Sequence, residues 1–286
     1  MPAAAAMPPE IELLSLILTL QPSTPWPVDR PLPGWWGRAA QSLLLRIVDA
    51  ENPALAAQMH DENKDNRPPY TTSSLMGRGF RQVLDANGHY QLRLTALTPT
   101  LCSILIRAAE SGGILAPGAV VELEFHPFTI LESSWQSVVE PWSIATSYAA
   151  LSAPRLIGEA PPRQVSLNFT SPVTFQTFGV TLPFPRQDLI FSSLLEAWNT
   201  YSPLTFPPET SRYANECLVI NRYDLKTRSI SIKNGYMRIG AIGQITFTST
   251  NYDRYWLGIL HTLAAYAPFC GIGWGTTIGL GQCHQV

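Results

Sequence analysis

Charge is scarce in this sequence: 14% of its 286 residues are Asp, Glu, Lys or Arg, and lysine is nearly missing, with only Lys64, Lys226 and Lys233. A formal net charge of −2 excludes an indiscriminate polyanion binder that works through bulk positive potential. Four cysteines, Cys102, Cys217, Cys270 and Cys283, form no C-x-x-C pair and no zinc-ligand spacing, which excludes zinc ribbons and a small disulfide framework. Free thiols in a reducing cytoplasm are the expectation, although Cys270 and Cys283 flank one glycine-rich segment. No apolar run approaches the roughly 20 residues of a membrane helix. The stretch from Met1 to Pro9 has no basic n-region and reads as a frayed tail rather than a signal peptide.

What charge there is lies unevenly. Residues 1–150 sum to −5 and residues 151–286 to +3. Within 222–254, Arg222, Lys226, Arg228, Lys233, Arg238 and Arg254 face only Asp224 and Asp253. Local potential rather than overall pI attracts phosphates, and the planar arginine fork suits them. A nucleotide bias in the gene explains an arginine-rich composition equally well. Composition permits RNA binding without demonstrating it.

Periodicity divides the chain into two similar halves. Residues 11–20 form a short apolar run that reads as a buried strand. Trp36, Ala40, Leu43, Leu44 and Ile47 recur at helical spacing, and Asn52-Pro53 starts a further short helix ending near His60. Residues 70–76 and 89–97 read as strands, Thr98-Pro99 caps a helix, and residues 119–131 alternate as a fourth strand. The second half repeats the order. A strand at 165–169 is broken by Ser171-Pro172, and a helix carries Leu189, Leu194, Leu195 and Trp198. Strands at 217–223 and 237–247, a helix over 252–265 and a last short strand follow. The expected fold is α+β, with two tandem ferredoxin-like βαββαβ domains. Their limits are placed at 1–140 and 163–286, with a proline-rich linker at 141–162.

The most specific signal is the segment from Gly271 to Gly281, in which Gly271, Gly273, Gly275, Gly279 and Gly281 recur. Glycines there permit positive φ and bring backbone N–H groups close to a bound anion. Phosphate loops of the dinucleotide or P-loop kind follow a strand and open a helix; this segment follows a helix instead. That counts against a nucleotide cofactor or a phosphorylated small molecule, and no cofactor is called for. The bland alternative is a tight helix-to-strand connection with glycines chosen for packing.

The segment resembles the glycine-rich signature of the CRISPR-associated repeat-processing endoribonucleases, ferredoxin-like proteins of the RAMP superfamily. The run from Phe184 to Phe191 with Trp198-Asn199, the run from Leu167 to Pro172, and the run from Gly240 to Phe247 are similar to the same family. His60 followed by Pro69-Tyr70-Thr71 and Ser74-Leu75 matches its N-terminal histidine region more loosely. The resemblance implies a metal-independent endoribonuclease that processes CRISPR repeat precursor RNA into guide RNAs. Its chemistry would be 2′-hydroxyl attack, giving 2′,3′-cyclic phosphate and 5′-hydroxyl ends. RNA contacts are expected at the five loop glycines and at Arg228, Lys233 and Arg238, in a cytoplasmic monomer or homodimer. The alternative is a non-catalytic RNA-binding subunit of a CRISPR effector complex, whose other subunits would then be partners.

Proton transfer at the attacking and leaving oxygens calls for a group titrating near neutrality. His89 borders the Asn87-Gly88 turn, His126 and His261 read as packing residues, and His284 lies in the tail. His60 ends a helix at a polar stretch and is the catalytic candidate, with Lys64 and Tyr70 beside it. Lys64, Arg67, Arg78 and Arg81 are equally open as groups that stabilise phosphoryl charge. Asp61, Glu62 and Asp65 read as a solvated face rather than metal ligands.

Overall fold

The computed structural model describes residues 10–62, 67–77, 84–136, 140–177, 179–233 and 236–286, with residues 60–62 and 233 described by backbone alone. The apolar run near the N-terminus is β1 (Leu13–Pro22), buried along almost its whole length. Helix α1 (Gly37–Glu51) turns Ala40, Leu43, Leu44, Ile47 and Val48 inward. Helix α2 (Pro53–Glu62) starts at Asn52, whose Oδ1 accepts from the Leu55 amide at 3.0 Å. Strands β2 (Tyr70–Thr72) and β3 (Tyr90–Ala96) follow, then α3 (Pro99–Ala109), whose N-cap is Thr98.

The run at 119–131 is two strands, not one: β4 (Val120–Leu123) and β5 (His126–Ser134) pair as a hairpin. The turn is carried by Glu124 and Phe125, at φ +51° and +55°. Both residues of the type I′ turn that suits strand twist require positive φ. Neither is Gly, Asn or Asp, so the sequence carries no turn signature. The antiparallel sheet runs β2-β3-β1-β5-β4, and its first four strands have ferredoxin-like order.

The stretch read as a linker is structured. It holds β6 (Ile144–Thr146), which pairs with β1, and α4 (Tyr148–Leu156), which packs along the last helix. Strand β7 (Gln164–Val173) then runs through Ser171-Pro172 instead of breaking there. Its pairing register shifts between Ala241 and Gly243, an irregularity of the kind that tolerates a proline in a strand. A small hairpin, β8 (Phe175–Thr177) and β9 (Val180–Leu182), precedes α5 (Gln187–Tyr201) and α6 (Glu209–Cys217). Long strands β10 (Leu218–Lys233) and β11 (Tyr236–Ser249) absorb the basic segment between the strands read from sequence. Helix α7 (Arg254–Cys270) is capped by Asp253, which accepts from the Tyr255 and Trp256 amides. A short 3₁₀ turn (Thr276–Ile278) and β12 (Cys283–Gln285) finish the chain. The order β10-β11-β7-β12 is again ferredoxin-like, and each unit has its own apolar core.

The two units meet through polar side chains of the first sheet and the end of α7. Thr71 and Thr95 hydroxyls both reach Phe269 O, at 3.2 and 2.8 Å, and the Thr72 hydroxyl donates to Thr277 O at 2.8 Å. Gln282 Nε2 donates back to Thr72 O at 2.5 Å. Arg93 is fully buried there, its guanidinium 4.1 Å from the Trp142 ring. Burial pulls its pKa down to about 9, opposed by the neighbouring Cys283, Cys270 and Glu140. No helix among the described residues is long and apolar enough to cross a membrane.

Candidate active site

The five loop glycines all have positive φ, from +62° at Gly271 to +88° at Gly279. Four of the five are also required by close approach of stiff parts of the protein. A Cβ on Gly281 would overlap the carbonyl oxygen of Ile272, and one on Gly273 the carbonyl oxygen of Thr174. On Gly279 it would lie 2.6 Å from the Ser74 amide, and on Gly271 2.8 Å from a Thr276 methyl. At Gly275 it meets only the tip of Leu280. Most amides of the loop are used internally: Ile272 to Gly281 O, Trp274 to Thr174 O, Leu280 to Gly275 O and Gly281 to Pro172 O. The sequence reading of five ligand contacts is therefore corrected. Gly271, Gly279 and Gly281 are buried structural glycines, and only Gly273 and Gly275 border open space. Among the described residues, the amides of Gly275, Thr276 and Thr277 donate to no protein acceptor.

That open space is a cleft of about 470 Å³ between the two units, lined by Arg67, Phe175, Ser193, Trp274 and Gly273 to Thr277 among others. From the first unit, Arg67 and Pro68 line it. His60 sits in the last turn of α2, and the preceding Gln58 and Met59 line a neighbouring hollow with Pro69, Thr200 and Tyr201. Lys64, Arg78, Arg81 and Asp65 lie outside the described residues. Arg67 is held by four acceptors: Ser193 O and Oγ at 2.8 and 3.1 Å, Cys270 O at 2.8 Å and Gly271 O at 2.9 Å. Tyr70 is fully buried in the first core, and its hydroxyl accepts from Gln41 Nε2 at 3.1 Å. A phenol enclosed in the core cannot meet a phosphodiester, so Tyr70 is withdrawn as a catalytic candidate.

Residues 167–283 match the family model of the CRISPR-associated endoribonuclease Cas6. The match spans the second unit, from β7 into β12. The fold agrees over nearly the whole length. A product complex of Cas6 (TTHB231) is 23% identical with a TM-score of 0.78, covering 97% of this chain and 100% of that one. A product complex of Cas6 (TTHA0078) is 20% identical with a TM-score of 0.73, covering 96% and 99%. A histidine-to-alanine mutant of the latter protein is 21% identical with a TM-score of 0.70, covering 96% and 98%. No curated protein matches by sequence.

Within this Cas6-like fold the other described histidines have structural surroundings or lie in the open. His126 Nε2 contacts Thr24 O at 3.0 Å, with its ring against Trp26 and Phe128. His261 donates from Nε2 to Pro162 O at 2.9 Å and accepts at Nδ1 from Gln285 at 2.8 Å. His284 is ordered in β12 rather than part of a loose tail, and packs edge-on to Trp142. Burial lowers the pKa of all three and favours the neutral ring. His89 is exposed.

The basic candidates separate. Arg238 donates to Thr181 Oγ1 at 2.6 Å and lies 4.6 Å from the Trp274 ring, so it supports the glycine-rich loop from below. Arg228 is half-buried on β10 opposite Gly240, and Lys233 closes that strand. Among the described residues no group of three His, Cys, Asp or Glu side chains is placed to hold a metal ion. Sequence reasoning missed the contact between α1 and the loop. Trp35 Nε1 donates to Ile278 O at 2.5 Å, and a Cβ at Gly37 would overlap the same carbonyl. The Trp35-Trp36-Gly37 triplet was the only available signal.

Proposed function

We propose that this protein is an endoribonuclease that cuts CRISPR repeat precursor RNA into guide RNAs. The observation that carries the reading is one juxtaposition: the glycine-rich segment inside the family match lines a cleft together with Arg67, which follows His60 by seven residues in the sequence. The relatives' structures with cleavage product, and the histidine mutant of one of them, support it.

The ribose 2′-hydroxyl upstream of the scissile bond attacks phosphorus, the 5′-oxygen leaves, and 2′,3′-cyclic phosphate and 5′-hydroxyl ends remain. His60 serves one of the two proton transfers, a role suited to an imidazole titrating near neutrality. The amides of Gly275 to Thr277 are donors available to a phosphate oxygen. No divalent metal takes part.

The test is single-turnover cleavage of end-labelled repeat RNA in excess EDTA. Wild type cuts; a substrate with 2′-deoxyribose just upstream of the scissile phosphate survives. His60→Ala slows cleavage by about 10² to 10⁴ while RNA affinity stays near wild type. Cutting of the deoxy substrate or a strict metal requirement would sink the mechanism. Tight binding without cleavage would instead make the chain an RNA-binding subunit of a CRISPR effector complex.

A further inference from the structure

We infer that the groove beside the β4–β5 turn is a contact site for single-stranded RNA, in which an unpaired base stacks on Phe125 and its phosphate meets Arg38. The inference takes its ligand from the endoribonuclease reading and concerns a surface outside the cleft. Phe125 is 86% exposed at the tip of the turn. Its ring ends a stack that starts in the first core. Buried Trp36 meets Trp26 edge-on at 5.6 Å, and the Arg30 guanidinium lies 4.7 Å from the Trp26 ring and 6.0 Å from that of Phe125. Trp26 Nε1 donates to Arg30 O at 2.7 Å, and Arg30 donates to Glu124 O in the turn. The platform is thus held by protein contacts, and a planar ligand on its outer face costs little ordering entropy.

The turn itself is disfavoured. Glu124 and Phe125 hold φ +51° and +55°, a conformation for which Asn-Gly is the favoured sequence. Strain kept at a position where glycine would relieve it points to a use for the side chain.

The groove has a volume of about 750 Å³, and Arg30, Arg38 and Arg46 line it with Glu122 and Glu124. Arg46 donates to Glu122 O at 3.0 Å, whereas Arg38 is exposed and has no partner among the described residues. Three guanidiniums against two carboxylates suit one phosphate rather than a run of them. A duplex keeps its base faces in its own stack, so an exposed aromatic ring selects unpaired nucleotides. Trp35 also lines the groove and donates to Ile278 O, next to Thr277 of the cleft. Groove and cleft share that wall, so one strand can occupy both.

The experiment measures affinity of the full-length protein by fluorescence anisotropy for labelled repeat RNA, a short unpaired oligoadenylate and a blunt RNA duplex. Phe125→Ala should weaken both RNAs with unpaired bases on the order of tenfold, Phe125→Trp should keep wild-type affinity, and the duplex should not distinguish them. Arg38→Ala should weaken binding and lower the slope of log affinity against log salt by about 0.7, the single-strand value for one phosphate. Phe125→Gly separates binding from folding. It should leave the denaturation midpoint at or above that of wild type while affinity falls as in Phe125→Ala.

Wild-type affinity in Phe125→Ala and Phe125→Gly overturns the inference. So does full affinity in Phe125→Leu, since any apolar contact would then serve. Unchanged RNA affinity with Phe125-dependent self-association in sedimentation assigns the ring to a second copy of the chain instead. Phe125-dependent oligoadenylate binding by a wild type that cuts no repeat RNA leaves the stacking site standing and overturns the endoribonuclease reading.

Discussion

Consider alanine at Gly281. The backbone there has φ +64°, and the added Cβ would overlap Ile272 O, whose residue donates its own amide to Gly281 O at 2.9 Å. The left-handed conformation costs an L-residue roughly 1–2 kcal/mol. The clash is with backbone, which cannot rotate away, and over-packing of this kind costs about 1–3 kcal/mol. Relieving it pulls on two hydrogen bonds, Ile272 N to Gly281 O and Gly281 N to Pro172 O, each contributing about 0.5–1.5 kcal/mol. The expected destabilisation is therefore on the order of 3–6 kcal/mol. Gly112 is the control, because it has φ +83° with nothing within 4 Å of a Cβ. Gly112→Ala isolates the conformational cost, about 1–2 kcal/mol. Urea denaturation of both variants, compared at equal m, reads the difference directly. Equal midpoints would refute the reasoning, since close approach would then contribute nothing. If Gly281→Ala kept its stability but lost RNA affinity, the loop would be a ligand contact there, as the sequence suggested.

Tyr70→Phe removes one buried hydrogen bond from Gln41 and should cost about 0.5–1.5 kcal/mol, with cleavage unchanged; an inactive but folded variant would return Tyr70 to the site. On the acid side, burial holds the folded pKa of His261 below 6.5, so the unfolded chain binds the extra proton first. Stability is then fully present above the unfolded value and falls as the pH drops towards the folded pKa. His261→Gln should flatten that decline, His126 and His284 supplying the remainder, when denaturation midpoints are compared from about pH 7.5 to about pH 5. An identical slope in the variant would mean that this ring is not what titrates.

The order of elements was legible because periodicity and capping are local. Leu43, Leu44 and Ile47 declare a helix face wherever they end up, and Thr98-Pro99 starts α3 through its own hydroxyl. The doubled ferredoxin-like plan follows from that order, since few sheet arrangements accommodate it. The glycine cluster could also be seen as a cluster. Its use could not, because an amide is free or bonded according to its surroundings: Gly281 is committed to Pro172, more than a hundred residues earlier, while Gly275 faces a cleft. The hairpin at Glu124-Phe125 was invisible for a related reason: tertiary packing holds two ordinary residues at positive φ.

Arg67 marks the boundary most clearly. By itself the sequence determined that an arginine follows the histidine segment and precedes two prolines. Only the tertiary structure decided that its fork closes on Ser193 and Cys270, 126 and 203 positions further on. A guanidinium has no intrinsic preference between phosphate, carboxylate and carbonyl. Its partner is set by which acceptors the packed domains bring within 3 Å or so, and no local pattern carries that information.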